Sequence, residues 1–412
     1  GIVQDWLSDP AFMNGGDSVI LFAESKSLIH PRVAKLPQVL NVEVSSPNTE
    51  QRLHYIQHYT EQAQYKPKLW SSAEDLASFT AGLSIHALRQ LLLGASYTRE
   101  PLEPADVLGK VQEFIQSQLG EDVVEFKKPS HRLDDVMGNR QLKTFIRNEL
   151  LPRFRAPGDK ALSGAAVAGP IGGGKTFIFE AVASELDVPV LVLKSIRSQW
   201  YGQTDVIFER LRRVLEALEK VVIFVDEADT QFGGVGAETH STERRLTGKI
   251  QAMMSDPRLR GRVIWLLMTA RIHLLSPDIR RPGRVGDLII PVLDPIDDDR
   301  IEFIRWVAES VLEAPSEDDI QRIDELTPGY SAAAFASLRS QLRGCDAKTI
   351  EDIINIVNDL LLPAIESTRR YQTLQALLNC TRRSLLPGTD LTDRDREGWH
   401  QEILALESRG IH

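Results

Sequence analysis

The stretch Gly169-Pro-Ile-Gly-Gly-Gly-Lys175-Thr176 constrains this chain more than any other. It fits G-x-x-x-x-G-K-[ST], with an apolar run at 165–169 before it and a 3.6-periodic stretch at 174–186 after it. A strand, a glycine-rich turn and a helix in that order form a P-loop. Glycines let backbone N–H groups wrap a phosphate chain without Cβ clashes, and the helix N-terminus adds positive potential. Phosphate binding therefore falls to Gly169, Pro170, Ile171, Gly172, Gly173, Gly174, Lys175, Thr176 and the adjoining Phe177. Lys175 is expected at the β- and γ-phosphates of a nucleotide, and Thr176 on a Mg2+ ion. A glycine-rich turn matching by chance is the alternative, and the flanking pattern speaks against it.

Val221-Val-Ile-Phe-Val-Asp226-Glu227 supplies a second half of such a site. An apolar strand delivers two carboxylates at its C-terminal end, where ligands of parallel sheets bind. Asp226 is expected to hold the Mg2+ shell, and Glu227 to orient and deprotonate an attacking water. Alone, this segment reads equally well as a charged strand end entering a turn.

Further short apolar runs lie at 18–23, 39–44, 189–193, 262–269 and 287–292. Their continuous apolarity predicts strands buried on both faces, and helical stretches between them predict an α/β fold with a parallel sheet. Segments at 50–64, 72–95 and 104–119, and again at 297–312, 316–325, 331–343 and 348–366, read as helices. The two halves echo each other. Asp9-Pro10 recurs 247 positions later as Asp256-Pro257, and Thr80-Ala-Gly-Leu-Ser84 recurs at the same offset as Thr327-Pro-Gly-Tyr-Ser331. That points to two copies of a module of about 250 residues. A chain that opens on Gly1 rather than Met, inside the first copy, is expected to start partway through that module. The division expected is a rear part and helical lid of the first module at 1–120, a linker at 121–135, a nucleotide-binding α/β domain at 136–296, a helical lid at 297–366 and a helical C-terminal extension at 367–412.

These motifs resemble the AAA (AAA+) ATPases, ring-forming motors, and in particular tandem-module members whose first module is degenerate. The resemblance covers about 130–345 as a whole module and about 1–120 as the rear half of another. His131-Arg-Leu-Asp-Asp135-Val136-Met-Gly138 is similar to the family's entry segment past the adenine, which implies Asp135, Val136 and Gly138 as nucleotide contacts. Leu275-Ser-Pro-Asp-Ile-Arg-Arg281-Pro-Gly-Arg284 is similar to its second signature, which implies Arg281 and Arg284 as arginine fingers reaching a neighbour's site. The family's lid pair near the adenine corresponds to Ala332-Ala333. Its polar Asn at the end of the 262–269 strand is replaced by Ala270, which leaves Thr269 as the substitute or leaves hydrolysis slow. Trp200-Tyr201-Gly202 matches the segment that lines the pore of unfolding rings; two aromatics packed beneath the helix at 205–219 is the other reading. The resemblance implies ATP and Mg2+ as cofactors, a homo-oligomer (the family usually forms hexamers), a protein client and a cytoplasmic location.

Composition narrows the partners. Against 48 basic residues stand 58 acidic ones, a net charge of −10, which speaks against nucleic acid. No run of 18 apolar residues exists to span a membrane. Cys345 and Cys380 lack metal spacing and are expected to be inert buried thiols, and His240 and His273 are isolated. No H-E-x-x-H zinc signature occurs in these 412 residues. Two functions stay open: an ATP-driven protein remodeller, favoured by Glu227 and Trp200-Tyr201-Gly202, and a slowly hydrolysing nucleotide-dependent switch or scaffold, favoured by Ala270.

Overall fold

In the computed structural model the described residues are 5, 6, 8–16, 18–23, 29–37, 39–42, 44–119, 124–194, 204–232, 241–281, 283–388 and 392–412. The chain divides into two compact units, Gly1–Asp122 with Ser198–Glu219, and Val123–Arg197 with Lys220–His412.

The first unit is helical. Helices Thr49–Gln62 and Pro104–Leu119 fall where the 3.6 periodicity places them, whereas the stretch read as one helix at 72–95 breaks at 80–84, where Gly82 takes φ +89°, into Ala73–Phe79 and Ile85–Thr98. Asn48, Ser72 and Ser84 each cap the first turn through a side-chain oxygen, which satisfies N–H groups that the helix itself leaves free. Ile56, Leu76, Leu88, Leu92, Val107 and Ile115 are buried. A fifth helix, Thr204–Ala217, comes from far along the chain and packs on Pro104–Leu119, burying Phe208, Leu211, Val214 and Leu215. Arg52 is wholly buried here. Its guanidinium donates to the carbonyls of Ala77 (2.9 Å) and Pro47 (2.6 Å) and to the Thr49 hydroxyl, and pairs with Glu219 at 3.2 Å.

The runs at 18–23 and 39–44 do not form the strands expected of them. Ile20, Phe22, Leu40, Val42 and Val44 are exposed, and among the described residues of this unit the single β pairing is an isolated bridge between Leu69 and Leu102. Apolar, β-prone composition makes a strand only where neighbouring strands satisfy its backbone, and here none do.

The second unit is built on a six-stranded sheet: β1 Val124–Lys127, β2 Gly164–Ala168, β3 Val190–Leu193, β4 Val221–Val225, β5 Val263–Thr269 and β6 Ile289–Pro291, in the order β1-β3-β4-β5-β2-β6. Strands β2 to β6 are mutually parallel and almost completely buried. Their continuous Ala, Val, Ile and Leu content reflects helical cover on both faces. The stretch at 124–127 was expected in a linker; it is instead an edge strand, antiparallel to β3. Its alternation of a buried Val124 with charged Glu125 and Lys127 suits a sheet edge.

Beyond β6, helices Asp297–Ala308, Glu317–Leu326, Ala332–Gly344 and Ile350–Asp359 enclose a core of their own, with Phe303, Val307, Ile320, Phe335, Leu342 and Ile353 at its centre. The last ends well before residue 366, the boundary read from periodicity, because Pro363 follows and disfavours helix at its predecessor. Two more helices, Glu366–Asn379 and Asp393–Glu407, pack together through Tyr371, Leu374, Ile403 and Leu406. Leu377, Leu385 and Leu386 join the core under the sheet, so this C-terminal segment is part of the unit rather than an appendage. Cys380 is buried, and burial pushes its thiol up; Cys345 is exposed, contrary to the expectation of two buried thiols. No helix among the described residues is long and apolar enough to cross a membrane.

Replacing Arg52 by Met is expected to lower stability by about 3 kcal/mol, since it strands the buried Ala77 carbonyl and the part-buried Pro47 carbonyl and leaves the Glu219 carboxylate with Thr49 in place of its cation. Urea unfolding of the whole chain measures this; a loss below about 0.5 kcal/mol would show the cluster to be unimportant.

Candidate functional site

The site lies at the carboxyl ends of β2, β4 and β5. Strand β2 runs between β5 and β6, and the chain leaves it into the P-loop. At Gly169 the loop backbone passes so close to β6 that a Cβ would sit 1.9 Å from the Val292 carbonyl oxygen. No other residue fits there. Gly172 takes φ +78°, and a Cβ on it would press on Ala333, Ser331 and Arg369 at 3.3 Å. The helix Lys175–Leu186 then begins directly from the loop, its first N–H groups directed back into the turn.

Lys175 is half-buried, and its Nζ donates to the carbonyls of Gly169 (2.9 Å) and Pro170 (3.0 Å). Burial lowers its pKa to about 8; the charge of Arg369 adds to this, while Asp226, Asp294 and Asp229 act against it. Below about pH 8 the side chain is therefore an ammonium ion held in a cradle of carbonyls and carboxylates. Thr176 follows at the helix start, half-buried.

Asp226 and Glu227 leave the end of β4 exposed to solvent. Glu227 adopts φ +46°, in the left-handed region that non-glycine residues seldom occupy. Its N–H donates to the Asp226 carboxylate at 2.9 Å, and its carbonyl accepts the Thr230 N–H at 2.8 Å. The tight turn thus sends two consecutive carboxylates out of one strand end, a conformation of the kind that concentrates at functional sites.

One turn on, Asp229 is buried and makes a network that residue-by-residue reading missed. Thr269, 1% exposed at the end of β5, donates its hydroxyl to Asp229 at 2.5 Å and accepts the Arg271 N–H at 2.8 Å. The Arg271 guanidinium closes the network on the other Asp229 oxygen at 2.6 Å. The single Thr269 proton is therefore directed at Asp229 and not at the open site. Ala270 beside it has no donor. The spacing Asp226-Glu227-Ala228-Asp229 was the available signal, since a third carboxylate after an apolar strand needs a buried partner.

The remaining expected residues are distributed as follows. Ala332 and Ala333 begin a lid helix that touches the P-loop: the Ala333 N–H donates to the Gly172 carbonyl at 3.0 Å. Gly138 is buried beside Asp299 and Phe303, and its N–H donates to Glu302 at 2.9 Å. Val136 turns its side chain into the core, and the Asp135 carboxylate accepts the Arg132 N–H of its own turn. In the same segment His131 stacks on Phe177 at 3.9 Å and bonds to the Phe177 carbonyl, which ties the entry segment to the P-loop helix. Arg281 and Arg284 are exposed, paired with Asp278 and with the Ser255 hydroxyl respectively. His273 stands edge-on to Tyr371 at 5.3 Å, and burial holds its pKa below the usual histidine range. Trp200, Tyr201, Gly202 and His240 lie outside the described residues.

A Mg2+ ion fits these donors. Thr176 offers a hydroxyl and Asp226 a carboxylate, both hard oxygens, and among the described residues no group of three or more His, Cys, Asp or Glu converges. A cation that keeps several waters and takes other ligands from phosphates needs no larger protein cage.

A P-loop between a parallel strand and a helix, an acidic strand end beside it and a helical lid upon it define a nucleotide-binding ATPase module. Comparison with known families agrees. Residues 165–291 match the family model described as "ATPase family associated with various cellular activities (AAA)", and residues 50–120 match "AAA+ chaperone, second helical domain". Residues 165–291 therefore carry the features of an AAA ATPase domain. It is similar to the Cell division cycle protein 48 homolog of Archaeoglobus fulgidus, 30% identical over 190 residues, 45% of this chain and 25% of that protein. It is also similar to the ATP-dependent zinc metalloprotease FtsH of Helicobacter pylori, 26% identical over 304 residues, 70% of this chain and 44% of that protein. This chain thus spans less than half the length of either relative. The crystal structure of the FIGL-1 AAA domain aligns with a TM-score of 0.47 and 21% identity, over 61% of this chain and 90% of that one.

Substituting Thr269 by Val removes the donor to Asp229 and the acceptor for the Arg271 N–H at nearly constant volume. The expected cost is about 1–3 kcal/mol, read as a fall in the thermal midpoint; an unchanged midpoint would mean the network is dispensable.

Proposed function

We propose that this chain binds and hydrolyses Mg-ATP at the P-loop and uses the cycle, as a homo-oligomer, to remodel a protein partner. The observation that carries the proposal is the meeting of the half-buried Lys175 cation with the Asp226–Glu227 strand end at the carboxyl edge of a parallel sheet. In this reading the N–H groups of Gly172, Gly173 and Gly174 hold the phosphates, and Lys175 exchanges its carbonyl partners for β- and γ-phosphate oxygens. Thr176 and Asp226 hold Mg2+, which neutralises phosphate charge when bound. Glu227 orients the attacking water, a task of positioning and electrostatics more than covalent chemistry. The exposure of Arg281 and Arg284 supports a role on a neighbouring subunit's γ-phosphate. Trp200, Tyr201 and Gly202 would grip the client in a ring pore. The name of one relative, the ATP-dependent zinc metalloprotease FtsH, supports a nucleotide-driven action on proteins.

A second reading, a nucleotide-timed switch with slow turnover, is favoured by one observation. The Thr269 proton is held by Asp229, and Ala270 has none, so neither replaces the polar residue expected to touch the attacking water.

In a phosphate-release assay with Mg-ATP, Glu227→Gln is expected to lower turnover by about a hundredfold or more while nucleotide binding persists. Turnover equal to wild type would remove Glu227 from the chemistry. Lys175→Ala is expected to abolish binding of a fluorescent ADP analogue. Mixing a doubly substituted Arg281→Ala, Arg284→Ala chain into wild type should depress turnover more steeply than dilution; a strictly linear decline would place the arginines outside any shared site.

A further inference from the structure

The helix Glu366–Asn379 lies beyond the lid and beyond the residues matched to the AAA family, yet it reaches the P-loop. Arg369, in its first turn, donates one guanidinium nitrogen to the Ile171 carbonyl and another to both carboxylate oxygens of Asp294. Gln372 follows at i+3, on the same helix face. Its amide oxygen accepts the Ile171 N–H at 3.0 Å, from 201 positions downstream. Both backbone groups of one P-loop residue are thus held by a single helical turn.

Packing does not explain this. The Ile171 side chain is itself 52% exposed, whereas Gln372 is 2% exposed and the Arg369 side chain 14%. The protein has buried Gln372 and half-buried Arg369 to hold an exposed loop residue by its backbone, at a desolvation cost that their bonds offset. The next residue, Gly172, takes φ +78°, and Arg369 Nη1 is among the atoms a Cβ there would meet. The helix is fixed at its far end too. Asn379 accepts from Arg280 at 3.1 Å, and the Thr381 hydroxyl just beyond accepts the Ile289 N–H of β6 at 2.9 Å.

We propose that Arg369 and Gln372 are positioning residues of the nucleotide site: they hold Ile171 so that the following N–H groups face one phosphate chain. This rests on the phosphate-binding reading of the P-loop given above. Asp294 fixes the guanidinium, and the cation adds positive potential beside the phosphates.

The test uses the full chain, a fluorescent ADP analogue with Mg2+, and steady-state phosphate release. Arg369→Ala and Gln372→Leu are expected to weaken nucleotide binding by roughly tenfold to a hundredfold and to raise KM in proportion, with kcat at saturating ATP within about threefold of wild type. Arg369→Lys keeps the charge but not the two-pronged bridge, and is expected to recover part of the affinity. Arg370→Ala, on the same helix as Arg369, removes an ion pair with Glu402 of the helix Asp393–Glu407; it serves as the structural control and should bind as wild type. A merely structural role would instead lower kcat with KM unchanged, as the active fraction falls, and would overturn the proposal. So would wild-type affinity in both the Arg369→Ala and Gln372→Leu chains while Lys175→Ala loses binding. If Lys175→Ala also binds as wild type, the P-loop reading itself fails. Should Arg369→Ala fail to fold, Gln372→Leu and Arg369→Lys decide by the same criteria.

Discussion

The close approach of the P-loop to β6 organises the second unit. Placing β2 between β5 and β6 brings its carboxyl end against the Val292 carbonyl, at a distance only glycine tolerates at position 169. From that contact the loop has one path, outward over the sheet edge and into the helix at Lys175. The carboxyl ends of β4 and β5 are then fixed beside it by the ladder, so the acidic pair and the Thr269–Asp229–Arg271 network fall at the same edge. The site is a consequence of strand order, and strand order in turn is a consequence of which apolar runs are buried on both faces.

Much of this was legible in the chain itself. The P-loop, the acidic strand and the lid helices each carry a local signal: a fixed motif, a continuous apolar run, or a 3.6-residue stripe. What was not legible depends on partners far away. The run at 18–23 has the composition of the strand at 262–269, but a strand exists only with a ladder, and the described residues around it offer none. Val124–Lys127 reads as linker because four residues carry too little pattern to be recognised; its pairing with β3 decides it. Arg369 and Gln372 looked like ordinary polar positions of a charged helix, since nothing near them in sequence points to Ile171. Asp229 stood beside two carboxylates already given roles, and its burial is visible only in three dimensions.

The charges at the site oppose one another in a way that bears on turnover. Lys175 is held as a cation against its burial by Asp226, Asp294 and Asp229, while Arg369 works the other way. Yet each carboxylate but Asp226 has a cation of its own: Asp294 has Arg369, and Asp229 has Arg271. Asp226 is therefore the carboxylate left with its charge directed to the open edge, where the Mg2+ proposed above would sit.

The same accounting separates binding from hydrolysis. Phosphate binding needs N–H groups and a cation; the loop backbone is held by contacts from the lid at Ala333 and from the C-terminal helix at Arg369 and Gln372, and the Lys175 cation by the Gly169 and Pro170 carbonyls. Hydrolysis needs in addition a polar group to steady the attacking water, and at the end of β5 the one hydroxyl present spends its proton inward. On the reading proposed above, such a site would hold nucleotide through redundant contacts and leave the orientation of water to Glu227 and to residues brought by a neighbouring subunit. Turnover should then be more sensitive to assembly than affinity is, because the missing donor is one the chain's own β5 does not supply.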